Sequence, residues 1–426
     1  GGKSTRWYDG DMTADRPEPA DRIDADAVVD LAMDLLAIDT ANPPGETVGI
    51  VDFVESRLAA FPVETERIVA APAKPNLLVT LPGRGDRTLL YNGHFDTVPY
   101  DAEAWTYDPL GERVDGRVYG RGATDMKGPL AGMIATIEAW AVADKQPPVN
   151  LRFAFVSDEE VGGEAGLSTL VKRGTLAADG CVIGEPTCEA GRHSVTVADR
   201  GSIWLTLSAT GEAAHGSRPP LGENAIDRLY SAITTFRDRF GDRRLTIDQS
   251  IDPILEETVE YYAPSMGEAI ARELFETPSI NLGTIKGGEA INTVPQHAVA
   301  EIDVRVTAGV HTPDLLEDVR ACIAGCEGVT ITDVAWSVGT AEPIDSPLVE
   351  AVAGAAEDVI RERVYRRSAT GGGDAKTLRN AGIPTVEFAL GTDTVHAVDE
   401  YLTVGALVDN ARIYTSLPNR FAAIEA

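Results

Sequence analysis

The sequence predicts an α/β protein: a mixed, mostly parallel sheet with helices on both faces, carrying an inserted α+β unit of ferredoxin-like order. Three observations predict it. Up to about residue 193, short apolar runs alternate with helix-period segments, the pattern of a sheet whose parallel strands are joined by helices. From 194 to 338 the order becomes strand, helix, strand, strand, helix, strand, the split βαβ arrangement. After 339 the first pattern resumes. A chain of 426 residues also exceeds one ordinary core. The expected organisation is one domain built from 1–193 and 339–426, interrupted by a second over 194–338, with residues 1–20 a disordered or tag-derived lead-in.

Val28, Leu31, Leu35 and Ile38 recur at helical spacing, which predicts a first helix over 25–39. Thr40-Ala41-Asn42-Pro43-Pro44-Gly45 breaks it. A second helix is expected through Val51–Leu58, then strands at Asn76–Leu81 and Thr88–Tyr91. Trp105–Tyr119 is turn-rich. A helix over Gly128–Ala143, a buried strand over Asn150–Val156, a short helix at Leu167–Arg173 and a strand at Gly180–Ile183 follow. In the inserted unit the strands are Gly201–Gly211, Ser279–Ile285, His297–Thr307 and Val329–Ala335, and the helices Asn224–Phe240 and Thr312–Ile323. Val299, Ile302, Val304 and Val306 fall mostly at every second position, as on a strand with one buried face. Residues 241–278 read as an acidic insertion. The last stretch offers a helix at Ser346–Ile360, a loop at 368–374, a helix at Ala375–Asn380, a strand at Thr385–Ala389 and a helix at Val404–Ser416.

Charge narrows the function classes. Asp plus Glu number 67 against 37 Lys plus Arg, a net charge of −30, and such a surface repels nucleic acid and anionic membranes. It also repels itself in dilute buffer. At about 1 M salt the Debye length is roughly 3 Å and the repulsion is largely screened; the composition resembles that of proteins from salt-accumulating halophiles, an ordinary acidic protein being the plainer reading. No run of eighteen apolar residues is present, so no membrane span is expected. The stretch Gly1-Gly2-Lys3-Ser4-Thr5 lacks the apolar core of a signal peptide. It mimics the tail of a phosphate-binding loop, but no strand precedes it and the upstream glycine is missing. Cys181, Cys188, Cys322 and Cys326 are scattered, as reduced structural thiols of a cytoplasmic protein would be.

The chemistry concentrates in two of the six histidines and a set of acids. His94 follows an apolar strand, and Asp96 lies two residues on, facing the same way in an extended segment. A carboxylate there suits a histidine whose second nitrogen must be fixed in one tautomer. Asp125 lies in Gly120-Arg121-Gly122-Ala123-Thr124-Asp125-Met126-Lys127-Gly128, directly before a helix, where a lone Asp would ordinarily be an N-cap. Glu159 and Glu160 end the strand Asn150–Val156; adjacent acids are usually a solvated loop, yet here one can bind metal while its neighbour acts as a base. Glu185 follows Gly180–Ile183, and His396 follows Thr385–Ala389. Ligands gather at the carboxyl ends of strands in open α/β sheets. Two imidazoles with several acids is the inventory of a two-zinc hydrolytic site.

These segments resemble the M20 family of metallopeptidases and deacylases from about residue 25 onward. The resemblance is carried by Gly-His-Phe-Asp-Thr-Val-Pro at 93–99, the Gly-Arg-Gly-Ala-Thr-Asp-Met-Lys-Gly run at 120–128, Asp-Glu-Glu-Val-Gly-Gly at 158–163, Gly-Glu-Pro-Thr at 184–187 and the late His396. It implies two divalent metal ions, zinc by default with cobalt or manganese as substitutes. It implies one ion on His94, Asp125 and Glu185 and a second on Asp125, Glu160 and His396, with Asp96 supporting His94 and Glu159 as general base. It implies that the inserted unit makes a homodimer, and that His215, in Ala214-His215-Gly216-Ser217, reaches a neighbouring subunit's site to stabilise an oxyanion; the plainer reading of His215 is a turn histidine capping the next helix. Asn292 and Arg305 resemble positions that hold a substrate carboxylate. The backbone of Gly372 and Gly373 would serve the same carboxylate, although Gly371-Gly372-Gly373-Asp374 departs from the family's usual Ser-Gly-Gly-Thr-Asp. His193, His297 and His311 match no ligand position. The implied activity is removal of an acetyl or succinyl group from an N-acyl amino acid, the Asp-Met-Lys-Gly and Glu-Pro-Thr wording being nearest that branch. A carboxypeptidase or dipeptidase of the same fold, or a catalytically silent ligand binder, are the other readings.

Overall fold

The computed structural model describes residues 18–143 and 145–424; most of the expected lead-in, 1–17, lies outside the described residues. Eight strands form one sheet, in the order Glu64–Ala71, Lys74–Leu81, Asn150–Val156, Thr88–His94, Gly180–Ile183, Thr385–Glu387, His193–Ala198, Val364–Ser368. Its centre is parallel: Thr88–His94 pairs in parallel with Asn150–Val156 on one side and Gly180–Ile183 on the other, and Thr385–Glu387 continues the run. These central strands are buried almost throughout. On one face the helices Ala25–Leu36, Lys127–Ala141, Pro347–Ile360 and Val404–Ala423 share a core with the sheet. On the other, Leu167–Lys172 and Asp374–Asn380 enclose a smaller one.

The second sheet has four antiparallel strands in the order Ser279–Gly287, His297–Val306, Gly201–Thr210, Val329–Ser337. Its inner face packs on the helices Ala225–Phe240 and Thr312–Ala324 through Leu205, Leu207, Leu229, Phe236, Val304 and Val319. This is the ferredoxin-like order the sequence predicts. The strand His193–Ala198 belongs to the large sheet, so the chain crosses between sheets after Ala198 rather than at 194. Val195 and Val197 are fully buried there, on a strand too short for its alternation to stand out.

Three strands of the large sheet were not legible as such. Glu64–Ala71 is a sheet edge with one buried residue, Ile68, so it lacks an apolar stripe. His193–Ala198 is the second. In Val364–Ser368 the pair Arg366-Arg367 hides the third. That last strand is the other edge of the large sheet, and the acidic insertion covers it. The insertion folds as two helices, Asp252–Met266 and Glu268–Glu276. Glu257 accepts a hydrogen bond from the Arg366 backbone N–H at 2.7 Å, and the Thr258 hydroxyl accepts from the Ser368 N–H at 2.9 Å. Edge amides left open would template pairing with another chain; here side chains of the insertion occupy them.

A buried clamp ties the C-terminal part of the chain to the loop before the helix Lys127–Ala141. Glu400, fully buried, accepts from the backbone N–H groups of Thr124 and Asp125, each at 2.9 Å, and of Gly122 at 3.2 Å, and from Arg121 Nη1 at 2.6 Å. Arg121 Nη2 donates in turn to the His396 carbonyl at 3.2 Å. Removing one partner of such a pair leaves the other charge buried and uncompensated. Glu400→Ala is therefore expected to cost about 3–5 kcal/mol in urea unfolding, and a loss under 1 kcal/mol would show that the clamp is dispensable.

Candidate metal centre

Three adjacent parallel strands deliver His94, the Glu159–Glu160 pair and Glu185 to one edge of the sheet, because Thr88–His94 lies between the other two. Gly93 and Gly184 precede two of these residues and allow close packing on Met126: a Cβ on either would come within 2.8 Å of the Met126 methyl. Met126 follows Asp125, so the strand ends and the Asp125 loop meet over one side chain.

His94 Nε2 lies 3.1 Å from Asp125 Oδ1 and 3.3 Å from Glu185 Oε1. His396 Nε2 lies 3.2 Å from Asp125 Oδ2 and 3.3 Å from Glu160 Oε2. Asp125 thus faces one histidine with each oxygen. The Glu159 carboxylate is within 4.8 Å of the donor atoms of His94 and Glu185. His396 adopts a left-handed backbone (φ 60°), uncommon for a residue with a side chain; the Arg121 hydrogen bond to its carbonyl holds that turn.

Asp96 meets His94 through its backbone as well as its side chain. The nearer partner of His94 Nδ1 is the Asp96 backbone carbonyl, at 2.8 Å, with the carboxylate at 3.5 Å. A carbonyl can only accept, so Nδ1 carries a proton, which leaves Nε2 as the nitrogen that faces Asp125 and Glu185. The Asp96 carboxylate instead accepts from the Glu159 N–H at 3.0 Å, the Glu160 N–H at 3.2 Å and Asn42 Nδ2 at 2.9 Å. It anchors the turn that carries both glutamates. Asn42, Arg121 and Glu400 were not singled out from sequence. Arg121 sits inside a motif and could have been; Asn42 in a turn and Glu400 after Asp399 carry no local signal.

The charges are crowded. Burial pushes the Glu159 carboxyl up to about 8, with Asp374, Glu160 and Asp125 adding to the effect. Burial likewise raises Glu185 well above the usual carboxylate range, and Asp374 to about 6. Hydrogen bonds to Asp125 and Glu160 carry the His396 imidazole up to about 10. Burial alone would lower His94, but Asp125, Asp96 and Glu185 hold it well above its ordinary value. Without other cations, the two imidazoles are made to keep protons to balance the acids.

A pair of divalent cations fits this donor set. The donor separations of 3.1–3.3 Å match the edge of about 3.3 Å in a tetrahedron with bonds near 2.0 Å. Glu160 Oε1 is buried with no hydrogen-bond partner, as expected of an oxygen reserved for a ligand. Four carboxylates (Asp125, Glu159, Glu160, Glu185) balance two doubly charged ions. The cavity over the site, about 910 Å³, is also lined by Gly372 and Gly373. His215, Asn292 and Arg305 do not line it. His215 and Asn292 sit on facing loops of the smaller sheet, where the Gly216 N–H donates to the Asn292 carbonyl at 2.7 Å and His215 pairs with Thr293. Arg305 lies on the outer face of that sheet, paired with Asp303 at 2.8 Å.

Comparison with known proteins agrees with this geometry. The family model described as Peptidase family M20/M25/M40 matches residues 90–420. The chain is 28% identical over 409 residues to succinyl-diaminopimelate desuccinylase of Rhodospirillum centenum, covering 92% of this chain and 97% of that one. It is 28% identical over 415 residues to aminoacylase-1 of Sus scrofa, covering 93% and 96%. The crystal structure of an M20 family metallo-carboxypeptidase from Sulfolobus solfataricus superposes with a TM-score of 0.74 at 19% identity, over 93% of this chain and 99% of that one. With the family model spanning most of the chain and the strand-end cluster in place, this protein belongs to peptidase family M20/M25/M40.

Proposed function

We propose that this chain is a metal-dependent amide hydrolase that removes an acyl group, acetyl or succinyl, from an N-acyl amino acid. The observation that carries the reading is the convergence of His94, Asp125, Glu160, Glu185 and His396 around one shared aspartate, with Glu159 beside them. The curated relatives named as a desuccinylase and an aminoacylase favour deacylation over peptide cleavage. His94, Asp125 and Glu185 would hold one cation, and Asp125, Glu160 and His396 the other; zinc is the default, and cobalt or manganese suit the same ligands. When bound, the pair supplies Lewis-acid polarisation of the amide carbonyl and acidifies a water.

The chain's own groups do the rest. Glu159, held by its backbone against Asp96, takes the water's proton and delivers it to the leaving amine nitrogen. The Gly372 and Gly373 backbone, facing the cavity, receives the substrate carboxylate. His215, Asn292 and Arg305 complete the site from a second copy, with His215 of the partner subunit stabilising the oxyanion. What supports a homodimer is their distance from this chain's own cavity, together with the open outer face of the four-stranded sheet, where Trp204 is 55% exposed. Among the described residues no helix is long and apolar enough to cross a membrane. We place the protein in the cytoplasm of a cell with high internal salt, in keeping with its charge of −30.

An assay of N-acetylornithine, N-succinyl-diaminopimelate and several dipeptides tests the reading. Cleavage of an acylated amino acid, abolished by EDTA and restored by zinc or cobalt, is the expected result; turnover of dipeptides alone would favour a peptidase. Glu159→Ala is expected to keep its metal, measured by elemental analysis, while turnover falls by about 10²–10⁴-fold. Mixing Glu159→Ala with His215→Ala tests the shared site. Each variant alone should be nearly inactive, whereas mixed dimers contain one site with both groups, restoring about a quarter of the wild-type rate in an exchanged pool. No recovery after subunit exchange would place His215 outside the neighbouring site.

A further inference from the structure

The cavity over the metal centre contains a second set of polar groups with no part in the chemistry above. Glu387 and Arg367 are each in register with Thr196, on the strands either side of it. Residues in register on adjacent strands point to the same face, so acid, hydroxyl and guanidinium form one row across three strands, and all three line the cavity. Each is unspent. Thr196 is 1% exposed, and its Oγ1 is buried without a hydrogen-bond partner. Glu387 has neither an ion pair nor a hydrogen bond among the described residues, and burial pushes its carboxyl up to about 7 against the pull of the Arg379 and Arg367 charges.

Arg367 is held rather than neutralised. Its Nε donates to Ser194 Oγ at 2.9 Å and its Nη1 to the Ser368 carbonyl at 3.4 Å, and its guanidinium carbon lies 5.0 Å from the Tyr261 ring centre and 5.5 Å from that of Tyr262. Both rings come from the helical insertion. The guanidinium is 8% exposed as a residue and makes no ion pair among the described residues. A buried cation and a buried acid kept apart across a hydroxyl are costly unless something completes them.

We propose that the row Glu387–Thr196–Arg367 is a subsite for a free α-amino acid head group, with Glu387 receiving the ammonium and Arg367 the carboxylate. Arg367 takes the carboxylate through its planar fork, and the Thr196 hydroxyl bonds to the group between them. The row rests on the proposed hydrolase reading only for the end of the substrate it holds: the end away from the scissile amide. It makes the enzyme selective for acylated molecules that keep an unmodified ammonium and carboxylate at their far end.

Isothermal titration of the metal-loaded protein with L-norleucine, hexanoate and pentylamine tests this, since the last two lack the ammonium and the carboxylate respectively. Norleucine is expected to bind about tenfold or more tightly than either, the gain of one charge-assisted contact. Arg367→Gln should remove the advantage of norleucine over pentylamine, and Glu387→Gln its advantage over hexanoate. Arg367→Lys keeps the charge and the stem, guards against misfolding, and should lose only part of that advantage. Equal binding of all three ligands to the wild type, or an unchanged norleucine preference in the variants, overturns the subsite and places the head group elsewhere, for instance on the metals. Hydrolysis of N-succinyl-diaminopimelate, which keeps a free α-amino acid at its far end, by the metal-loaded wild type is read separately. Absence of turnover would count against the hydrolase reading, and a failed titration with hydrolysis intact would count only against the row.

Discussion

Mutual repulsion among Asp125, Glu159, Glu160 and Glu185 is the constraint on which the rest of this structure turns. Four acids brought together in a buried cleft cannot all stay ionised unless positive charge is placed among them. Two imidazoles lie against Asp125, one on each of its oxygens, and the surrounding acids hold both well above the ordinary imidazole value. The same crowding of acids suits the cluster to divalent cations, which would bring greater positive charge into the same space.

Holding such a cluster requires rigidity behind it, and the supports are themselves buried polar groups. Asp96 fixes the glutamate turn through two backbone N–H groups, while its carbonyl sets the His94 tautomer. Glu400 gathers the amides of the Asp125 loop and, through Arg121, holds the His396 turn. The glutamate turn, the Asp125 loop and, through Arg121, the His396 turn are thus tied to buried carboxylates outside the cluster. Burial raises the Glu400 carboxyl, and the amides of Asp125 and Thr124 and the Arg121 charge oppose that rise.

The acidic insertion shows how a segment with no chemical motif can shape a site. Its two helices cover the edge strand Val364–Ser368 by donating side-chain acceptors to open backbone amides. The same helices bring Tyr261 and Tyr262 against Arg367. Edge protection and the wall of the cavity are one structural event, so the insertion ties the stability of the large sheet to the polarity of the cleft.

The sequence alone determined the central strands, the ferredoxin-like insert and the histidine and acids that the strand-end cluster brings together. Those features are written locally: Thr88–Tyr91, Asn150–Val156 and Gly180–Ile183 are apolar runs ending in His, Glu and Glu, and the period of a strand or helix is visible within ten residues. Only the tertiary structure decided that Glu400 serves Asp125 across 275 residues of chain, that Asn42 joins Asp96, and that Glu387, Thr196 and Arg367 stand in one row. It also decided that Val364–Ser368 is a strand despite its two arginines. The reason is physical. Register between strands far apart in sequence is fixed by how whole faces pack, and a lone polar residue carries no periodic signal until that packing supplies its partner.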